Sequence, residues 1–176
     1  ALCQNLKRMS DLFVDQASTG QQINLPGADL LYFPDFFSPA EADRKLHALH
    51  EQIAWQQGKI TVYGKEYPEP RLSAWYGEEG CGYTYSGLLH APLPWTPLLL
   101  SIKSRIESIA NGVVFNSVLA NLYRNGADGV AWHSDDEPEL GPAPVIASVT
   151  FGQSRPFQLR HRRDKLLKYS LLLPHG

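Results

Sequence analysis

The sequence predicts a mainly β protein of the α+β class, in which two early helices support a β-sandwich or jelly roll. Two helix-start signals occur before residue 112, and the later segments alternate apolar and polar side chains with a period of two. The chain has 176 residues, a length that suits one globular domain with one core. Helices that precede a run of strands, instead of alternating with them, favour a sandwich over a parallel sheet.

The composition excludes several classes of protein. Two cysteines are too few for a disulfide scaffold, which makes a reducing, intracellular setting the default. The formal net charge of -2 excludes a uniformly basic nucleic-acid binder but permits a local basic patch. No stretch approaches the roughly 18 to 20 consecutive apolar residues of a transmembrane helix, so we expect no membrane span.

The first elements can be assigned in chain order. Residues 1–29 are polar and weakly periodic, and we expect a loosely ordered arm before a domain that occupies residues 30–176. An apolar run over 30–33, stopped by a proline, predicts a strand. Ser38, a following proline and Glu41 form a helix-start signal, and apolar residues at helical spacing then predict a helix over 39–54.

The remaining elements are predicted from turns and alternation. Gly64–Lys65 is a plausible hairpin turn, entered by residues 60–63 and left by residues 71–76. Residues 83–86 read as an extended segment, and Thr96–Pro97 starts a second helix that ends near residue 112. Period-two alternation then predicts strands over 115–124, 145–151, 156–162 and 166–173, with a tight turn at Asp164–Lys165.

Four polar residues are candidates for a metal site. His133 and Asp135 are two positions apart, so in an extended chain both side chains point to one face. An imidazole and a carboxylate are two corners of the facial triad that holds Fe(II) in oxygenases, although a surface histidine beside an acidic loop has the same spacing. Asn121 and Tyr123 share a strand face and could hydrogen-bond a carboxylate ligand near the metal; ordinary burial of both is the alternative.

Aromatic and basic residues are candidates for nucleic-acid binding. Tyr83 and Tyr85, with Trp75 and Tyr63 upstream, could stack on bases, or they could simply pack in a sandwich core. The stretch 155–168 holds six basic residues against one acid. It could face a phosphate backbone or form a solvated hairpin tip.

Taken together, these segments resemble the AlkB family of Fe(II)- and 2-oxoglutarate-dependent dioxygenases. The resemblance rests on these segments: Asn121-x-Tyr123, His133-x-Asp135 followed by Asp136-Glu137, residues 146–152, Arg155-x-Phe157, residues 70–77 and residues 83–86. It runs from about residue 30 to the last residue and implies a double-stranded β-helix, the jelly roll of this family.

The resemblance also implies roles for single residues. His133 and Asp135 become iron ligands, and Asn121 and Tyr123 become contacts of 2-oxoglutarate. The positions that match contacts to the nucleic acid and the flipped base are Tyr63, Gly64, Lys65, Trp75, Tyr83, Thr84, Tyr85, Asp136 and Glu137. The positions expected to hold phosphates are Arg71, Arg160, Arg162 and Arg163.

The activity that the resemblance implies is oxidative demethylation of N-alkylated bases with Fe(II), 2-oxoglutarate and O₂, releasing formaldehyde, succinate and CO₂. The expected partner is alkylated single-stranded DNA or RNA, and the expected protein is a monomer of the cytoplasm or nucleus. A metal-free nucleic-acid-binding module, and a dioxygenase that acts on protein or lipid, are the alternatives.

One departure from the family pattern concerns the third iron ligand. In the family, an apolar strand that ends in His-Gly is followed by further strands, which carry the distal histidine and the arginines that pair with 2-oxoglutarate. His175 and Gly176 match that His-Gly pair. We therefore expect a C-terminally incomplete domain with little turnover of its own. Neither His175 nor His161 is expected to be the missing ligand.

Overall fold

The computed structural model describes residues 19–81, 83–85, 88–135, 140–141 and 143–176. Within these residues the chain forms ten strands and two helices, and the strands pair as five antiparallel two-stranded sheets. In chain order the strands are β1 Gln21–Leu25, β2 Ala28–Tyr32, β3 Lys59–Val62, β4 Lys65–Pro68, β5 Leu72–Gly77, β6 Tyr83–Tyr85, β7 Leu88–His90, β8 Ser117–Leu122, β9 Arg155–Arg160 and β10 Lys168–Leu173. The helices are α1, Pro39–Gln52, and α2, Pro97–Glu107. The predicted mainly β composition with two helices is confirmed.

Both predicted helix starts are present. Glu41 accepts hydrogen bonds from the backbone N–H and the hydroxyl of Ser38, at 3.0 and 2.6 Å, and so closes the start of α1. Thr96 accepts from the N–H of Leu99 at 3.2 Å at the start of α2. In each case a proline occupies the first helical position, where no N–H partner is needed.

One compact unit comprises the described residues 19–46 and 149–176. It contains the β1–β2 and β9–β10 hairpins and the first part of α1. Phe36 and Phe37 are buried at its centre with ring centroids 4.9 Å apart, and Phe37 also packs on Phe151 at 5.6 Å. The terminal residue Gly176 accepts from the N–H of Phe37 at 2.8 Å and donates to the carbonyl of Thr150 at 2.9 Å.

The second compact unit spans residues 47–148 and carries most of the candidate site. Its core is formed by Ile53, Ala74, Tyr76 and Leu99, with partly buried apolar side chains around them. Tyr76 is almost fully buried, and its hydroxyl accepts from the N–H of Ala54 at 3.0 Å, which satisfies a backbone donor just past the end of α1.

The hairpin around Gly64 differs from the expected one. Strand β3 pairs with β4, which begins directly at Lys65, whereas the predicted exit strand at 71–76 is β5 and pairs with β8. The turn residues Tyr63 and Gly64 both have positive φ, at 49° and 77°. A two-residue turn of this type matches the twist of the flanking strands, so β4 returns along β3 at once.

The predicted strand over 145–151 is wrong. These residues alternate in polarity, but the described chain gives this segment no strand neighbour, and Val145 and Ile146 are exposed. A single backbone bond joins it to the chain terminus, at Thr150. Alternation alone does not make a strand where no ladder forms beside it.

The expected arm over 1–29 is also partly ordered. From Gln21 onward it forms the β1–β2 hairpin, in which Gln22 donates to the carboxylate of Asp29 at 3.0 Å. Residues 1–18 lie outside the described part of the chain. Among the described residues, no helix combines the length and the apolar character needed to cross a membrane.

Candidate metal centre and substrate face

The sheet formed by β5 and β8 places Asn121 on its outer face. Asn121 lies opposite Ser73, and Leu119 lies opposite Trp75, so these four side chains share one face. The alternate residues of both strands pack into the core of the second unit. Asn121 and Leu119 are exposed, which leaves an accessible face with one amide beside apolar and aromatic surface.

The second expected 2-oxoglutarate contact, Tyr123, follows directly after the last residue of β8 and is half-buried. It therefore lies at the point where the strand ends and the loop towards His133 begins. Residues that leave a strand end in this way are well placed to border a site on the strand's face. The contact of Asn121 and Tyr123 with a keto acid stays a prediction.

His133 and Asp135 converge in an exposed segment of the second unit. The Nε2 atom of His133 lies 3.7 Å from Oδ1 of Asp135, and the side chains are 57% and 47% exposed. The Nδ1 atom of His133 lies 2.8 Å from the carbonyl oxygen of Ala131. Because a carbonyl oxygen can only accept, Nδ1 carries a proton, and Nε2 is the nitrogen left to bind a metal.

This arrangement fits a metal ion. The separation of 3.7 Å between Nε2 and Oδ1 is shorter than two metal–ligand bonds of about 2.1 Å each, so one ion can touch both atoms. Histidines that bind metals almost always donate their second N–H to a carbonyl or carboxylate, as His133 does to Ala131. No group of three or more His, Cys, Asp or Glu side chains that could hold a metal occurs in the part of the chain that is described. The pair is therefore a two-ligand corner.

The two histidines that we did not expect to bind iron make other contacts through Nδ1. Nδ1 of His175 accepts from the N–H of Gly152 at 2.7 Å, and its Nε2 lies 3.3 Å from Asp43. Nδ1 of His161 accepts from the N–H of Asp164 at 2.9 Å. Both residues belong to the first unit, and their bonds hold local backbone.

The loop between Tyr123 and His133 is organised by Asp128, which was not among the site residues predicted from the sequence. Asp128 is 7% exposed and accepts from the backbone N–H of Arg124 and from the Arg124 guanidinium. The hydrogen bonds between the guanidinium and the Asp128 carboxylate are the main reason that the pKa of Arg124 is raised, although desolvation opposes the shift. A charged residue inside a Gly-rich loop was the available signal, but charge alone does not predict burial.

The β3–β4 turn presents Tyr63 to solvent. Its side chain is 102% exposed, and nothing lies within 4 Å of the place where a Cβ on the neighbouring Gly64 would be. Lys65 follows and is also exposed. Positive φ is strained for tyrosine, and an exposed side chain gains no packing energy that would offset the strain. Tyr63 therefore does not stabilise the fold, which makes this turn a candidate contact for a ligand.

The predicted phosphate contacts differ in their accessibility. Arg71 donates to Glu69 at 3.2 Å, and the two side chains are only 17% and 12% exposed, so much of its guanidinium is already engaged. Arg162 and Arg163 are exposed in the loop of the β9–β10 hairpin, in the first unit. In the same hairpin Arg160 lies directly opposite Lys168, so two basic side chains share one face.

Several predicted contacts fall on residues outside the described part of the chain. The backbone of Tyr83, Thr84 and Tyr85 forms β6, which pairs with β7, but their side chains lie outside it. Asp136 and Glu137 lie outside it altogether. The stacking and base-contact roles of these residues stay predictions.

A family model described as "2OG-Fe(II) oxygenase superfamily" matches residues 29–176. The chain belongs to this superfamily, so the class of protein suggested by the His133–Asp135 pair is confirmed. Members of this class use Fe(II), 2-oxoglutarate and O₂, which are the cofactor and co-substrates expected from the sequence.

Within the superfamily, the resemblance to AlkB proteins is also confirmed. The chain is 47% identical over 131 residues to alpha-ketoglutarate-dependent dioxygenase alkB homolog 3 of Homo sapiens, which covers 74% of this chain and 45% of the relative. The Rattus norvegicus protein of the same name is also 47% identical, over 74% of this chain and 43% of its own length. DNA oxidative demethylase ALKBH2 of Homo sapiens is 39% identical over 82% of this chain and 56% of its own length. The chain thus spans about half the length of these relatives.

Proposed function

We propose that this chain forms the 2-oxoglutarate- and iron-binding part of an enzyme that demethylates N-alkylated bases in nucleic acid. The observation that carries the proposal is the His133–Asp135 pair, with Nε2 and Oδ1 at 3.7 Å and Nδ1 bonded to Ala131. The relatives named DNA oxidative demethylase and alkB homolog 3 support the same activity. The described residues place no third ligand beside this pair.

Each residue of the site has a role in this chemistry. His133 and Asp135 hold the metal, and the Ala131 carbonyl keeps the imidazole in the tautomer that exposes Nε2. Asn121 donates its amide to a carboxylate of 2-oxoglutarate on the outer face of the β5–β8 sheet, and Tyr123 borders that carboxylate. When bound, iron with 2-oxoglutarate and O₂ oxidises the N-methyl carbon, which leaves as formaldehyde while the keto acid becomes succinate and CO₂.

The nucleic acid is contacted through aromatic and basic side chains. Tyr63 stacks on a base beside the target, and Gly64 and Lys65 hold the adjoining backbone. Trp75 borders the pocket from the outer face of the sheet. The role proposed for Tyr83, Thr84 and Tyr85 is to cover the flipped base, and the role proposed for Asp136 and Glu137 is to favour a ring that methylation has made cationic; both roles rest on the family resemblance.

Phosphates are held by Arg160, Arg162 and Arg163, with a smaller part for Arg71, which Glu69 already engages. A base must leave its stack to be oxidised, and this costs least in a single strand, so single-stranded DNA or RNA is the preferred substrate. For the fold, we propose that the two-stranded sheets belong to a double-stranded β-helix. We also propose that the protein acts inside the cell and is a monomer.

Metal-dependent binding of 2-oxoglutarate tests the proposal. Mn(II) substitutes for Fe(II) without turnover, so calorimetric titration of 2-oxoglutarate into the purified protein, with and without Mn(II), isolates binding. We expect binding that requires Mn(II) and is abolished in His133→Ala, but unchanged in His47→Ala, which removes an exposed helical histidine paired with Glu51. Loss of the methyl group from a single-stranded oligonucleotide with one N-methylated base, followed by mass spectrometry, then tests the reaction in the enzyme of which this chain forms part.

Two results would contradict the proposal. Oligonucleotide binding without any Mn(II)-dependent binding of 2-oxoglutarate would identify a metal-free nucleic-acid-binding module. Turnover of 2-oxoglutarate that no methylated oligonucleotide stimulates, with oligonucleotide affinity that does not depend on salt, would identify a dioxygenase with a different substrate.

A further inference from the structure

We infer that Asp128 is a positioning residue that sets the spacing between the 2-oxoglutarate side chains and the iron pair. The inference rests on the proposed function, because it concerns how the chain holds that site together. The contacts of Asp128 that carry the inference are those with Arg124, in the loop that joins the keto-acid side chains to the metal pair.

Burial makes the Asp128 carboxylate unusual. Among the described residues it is the one polar or charged side chain that is buried, at 7% exposure. A buried carboxylate is costly unless hydrogen bonds compensate for its lost hydration. Here both oxygens are used: Oδ2 accepts from the backbone N–H and Nε of Arg124 at 2.9 and 2.7 Å, and Oδ1 accepts from Nη2 at 3.0 Å.

The backbone bond is the contact that reaches the site. The N–H of Arg124 belongs to the peptide group that follows Tyr123, so its bond to Asp128 fixes the chain at the exit of the proposed keto-acid contact. The paired guanidinium fork adds a second, planar constraint on the same residue. Tyr123 is thereby tied to Asp128 across the loop.

The other side of Asp128 leads to the metal pair. The next residue, Gly129, donates its N–H to the carbonyl of Pro70 at 2.9 Å, which pins the loop beside the start of β5. Ala127 donates to the side chain of Asn125 at 2.8 Å, so the loop is also closed internally. His133 follows Gly129 by only four positions. The residues on either side of Asp128 are therefore anchored, and the segment that carries the ligands begins directly after this anchored stretch.

Substitution of the carboxylate tests this role without removing any proposed ligand. Asp128→Asn keeps the shape but removes one acceptor oxygen and the charge that binds Arg124. We expect the dissociation constant of Mn(II), followed by electron paramagnetic resonance, to rise about tenfold, as supporting residues of metal sites typically cause. With Mn(II) saturating, the dissociation constant of 2-oxoglutarate should also rise. Asp29→Asn, which makes the same change in the β1–β2 hairpin, should alter neither.

A purely structural role predicts a different result. If Asp128→Asn lowers the midpoint of thermal unfolding but leaves both dissociation constants unchanged, the inference is overturned. Should this variant fail to fold, Arg124→Gln serves instead, because it removes the guanidinium fork while the backbone bond to Asp128 stays. It should raise both constants by a smaller factor, and no rise would again overturn the inference.

The wild-type titration separates this inference from the proposed function. If the wild-type protein binds Mn(II) and 2-oxoglutarate through His133, and Asp128→Asn binds them equally well, only the positioning role fails. If the wild-type protein shows no binding that depends on His133, the proposed function and the positioning role fail together.

Discussion

The Nδ1–H group of His133 donates to the carbonyl oxygen of Ala131 across 2.8 Å, within the same segment of chain. This bond is local, because its two partners are only two positions apart in the chain. It leaves Nε2 facing Asp135 at 3.7 Å. Ala131, His133 and Asp135 alternate along the chain and provide two of the three ligands of a facial triad, with the carbonyl of Ala131 orienting His133.

Removal of the carboxylate from this corner should weaken metal binding strongly. Asp135→Asn replaces an anionic ligand by a neutral amide of the same size. Because changes to supporting residues alone cost about tenfold to a hundredfold in metal affinity, loss of a direct ligand should cost at least about tenfold. Titration of Mn(II), followed by electron paramagnetic resonance, measures the dissociation constant.

The matched control is Asp29→Asn, in a hairpin of the first unit, which should bind Mn(II) like the wild type. Asp135 is half exposed, and its ion pair with His133 is exposed as well, so unfolding by urea should be little changed. An unchanged Mn(II) affinity in Asp135→Asn would remove Asp135 from the site.

Tyr63, at the tip of the β3–β4 hairpin, should contribute to the binding of an oligonucleotide but not to the stability of the fold. Tyr63 is fully exposed at φ 49°, a conformation that asparagine tolerates better than tyrosine. Tyr63→Asn should therefore leave the free energy of unfolding unchanged or slightly higher. Loss of one stacked base should weaken binding of a single-stranded oligonucleotide by about 1 to 3 kcal/mol, measured by fluorescence anisotropy.

Val114→Asn provides the comparison, since Val114 is also an exposed apolar side chain of the second unit but lies far along the chain from the turn. It should keep the wild-type affinity for the oligonucleotide. Equal affinities of Tyr63→Asn and the wild type would mean that the exposed tyrosine does not stack on the nucleic acid.

The loop of the β9–β10 hairpin should contribute salt-dependent affinity. Arg163 is exposed there, and each phosphate contact to a single strand adds about 0.7 to the slope of log affinity against log salt. Arg163→Gln should lower the magnitude of the slope by about that amount and should weaken binding to oligonucleotides of every sequence equally. Arg44→Gln, an exposed arginine on α1, should leave the slope as it is. The same slope in both variants would exclude Arg163 as a phosphate contact.

The sequence was most informative where the signal was local. The start of α1 needs only Ser38, a proline and Glu41 within four positions, and the structure has those bonds. The convergence of His133 and Asp135 likewise needs only their spacing. Both features depend on neighbours in the chain, which is the information that a pattern contains.

Features that depend on distant partners were harder to predict. The alternation over 145–151 resembled a strand, but pairing is decided by whether another strand lies alongside, and the described chain offers none there. The placement of Asp128 depends in part on a distant contact, because the next residue, Gly129, donates its N–H to the carbonyl of Pro70. Neither relationship has a signature in composition or periodicity.

Gly176 should be required for the stability of the first unit. Its φ is +80°, and a Cβ at this position would lie 2.9 Å from both the Cβ of Ala42 and the carbonyl oxygen of Phe37. Gly176→Ala therefore combines backbone strain with overpacking. We expect a loss of about 2 to 5 kcal/mol in the free energy of unfolding, measured with urea, of which about 1 to 3 kcal/mol comes from overpacking and about 1 to 2 kcal/mol from backbone strain.

Gly112 separates the two causes. Its φ is +84°, but nothing lies within 4 Å of the place where its Cβ would be, so Gly112→Ala has the strain without the clash. It should cost only about 1 to 2 kcal/mol. Because Ala42 and Phe37 are themselves buried and cannot yield space cheaply, the difference between the two variants measures how tightly the chain end is packed. Equal losses in both variants would mean that Gly176 serves only the backbone conformation and that its close packing contributes nothing.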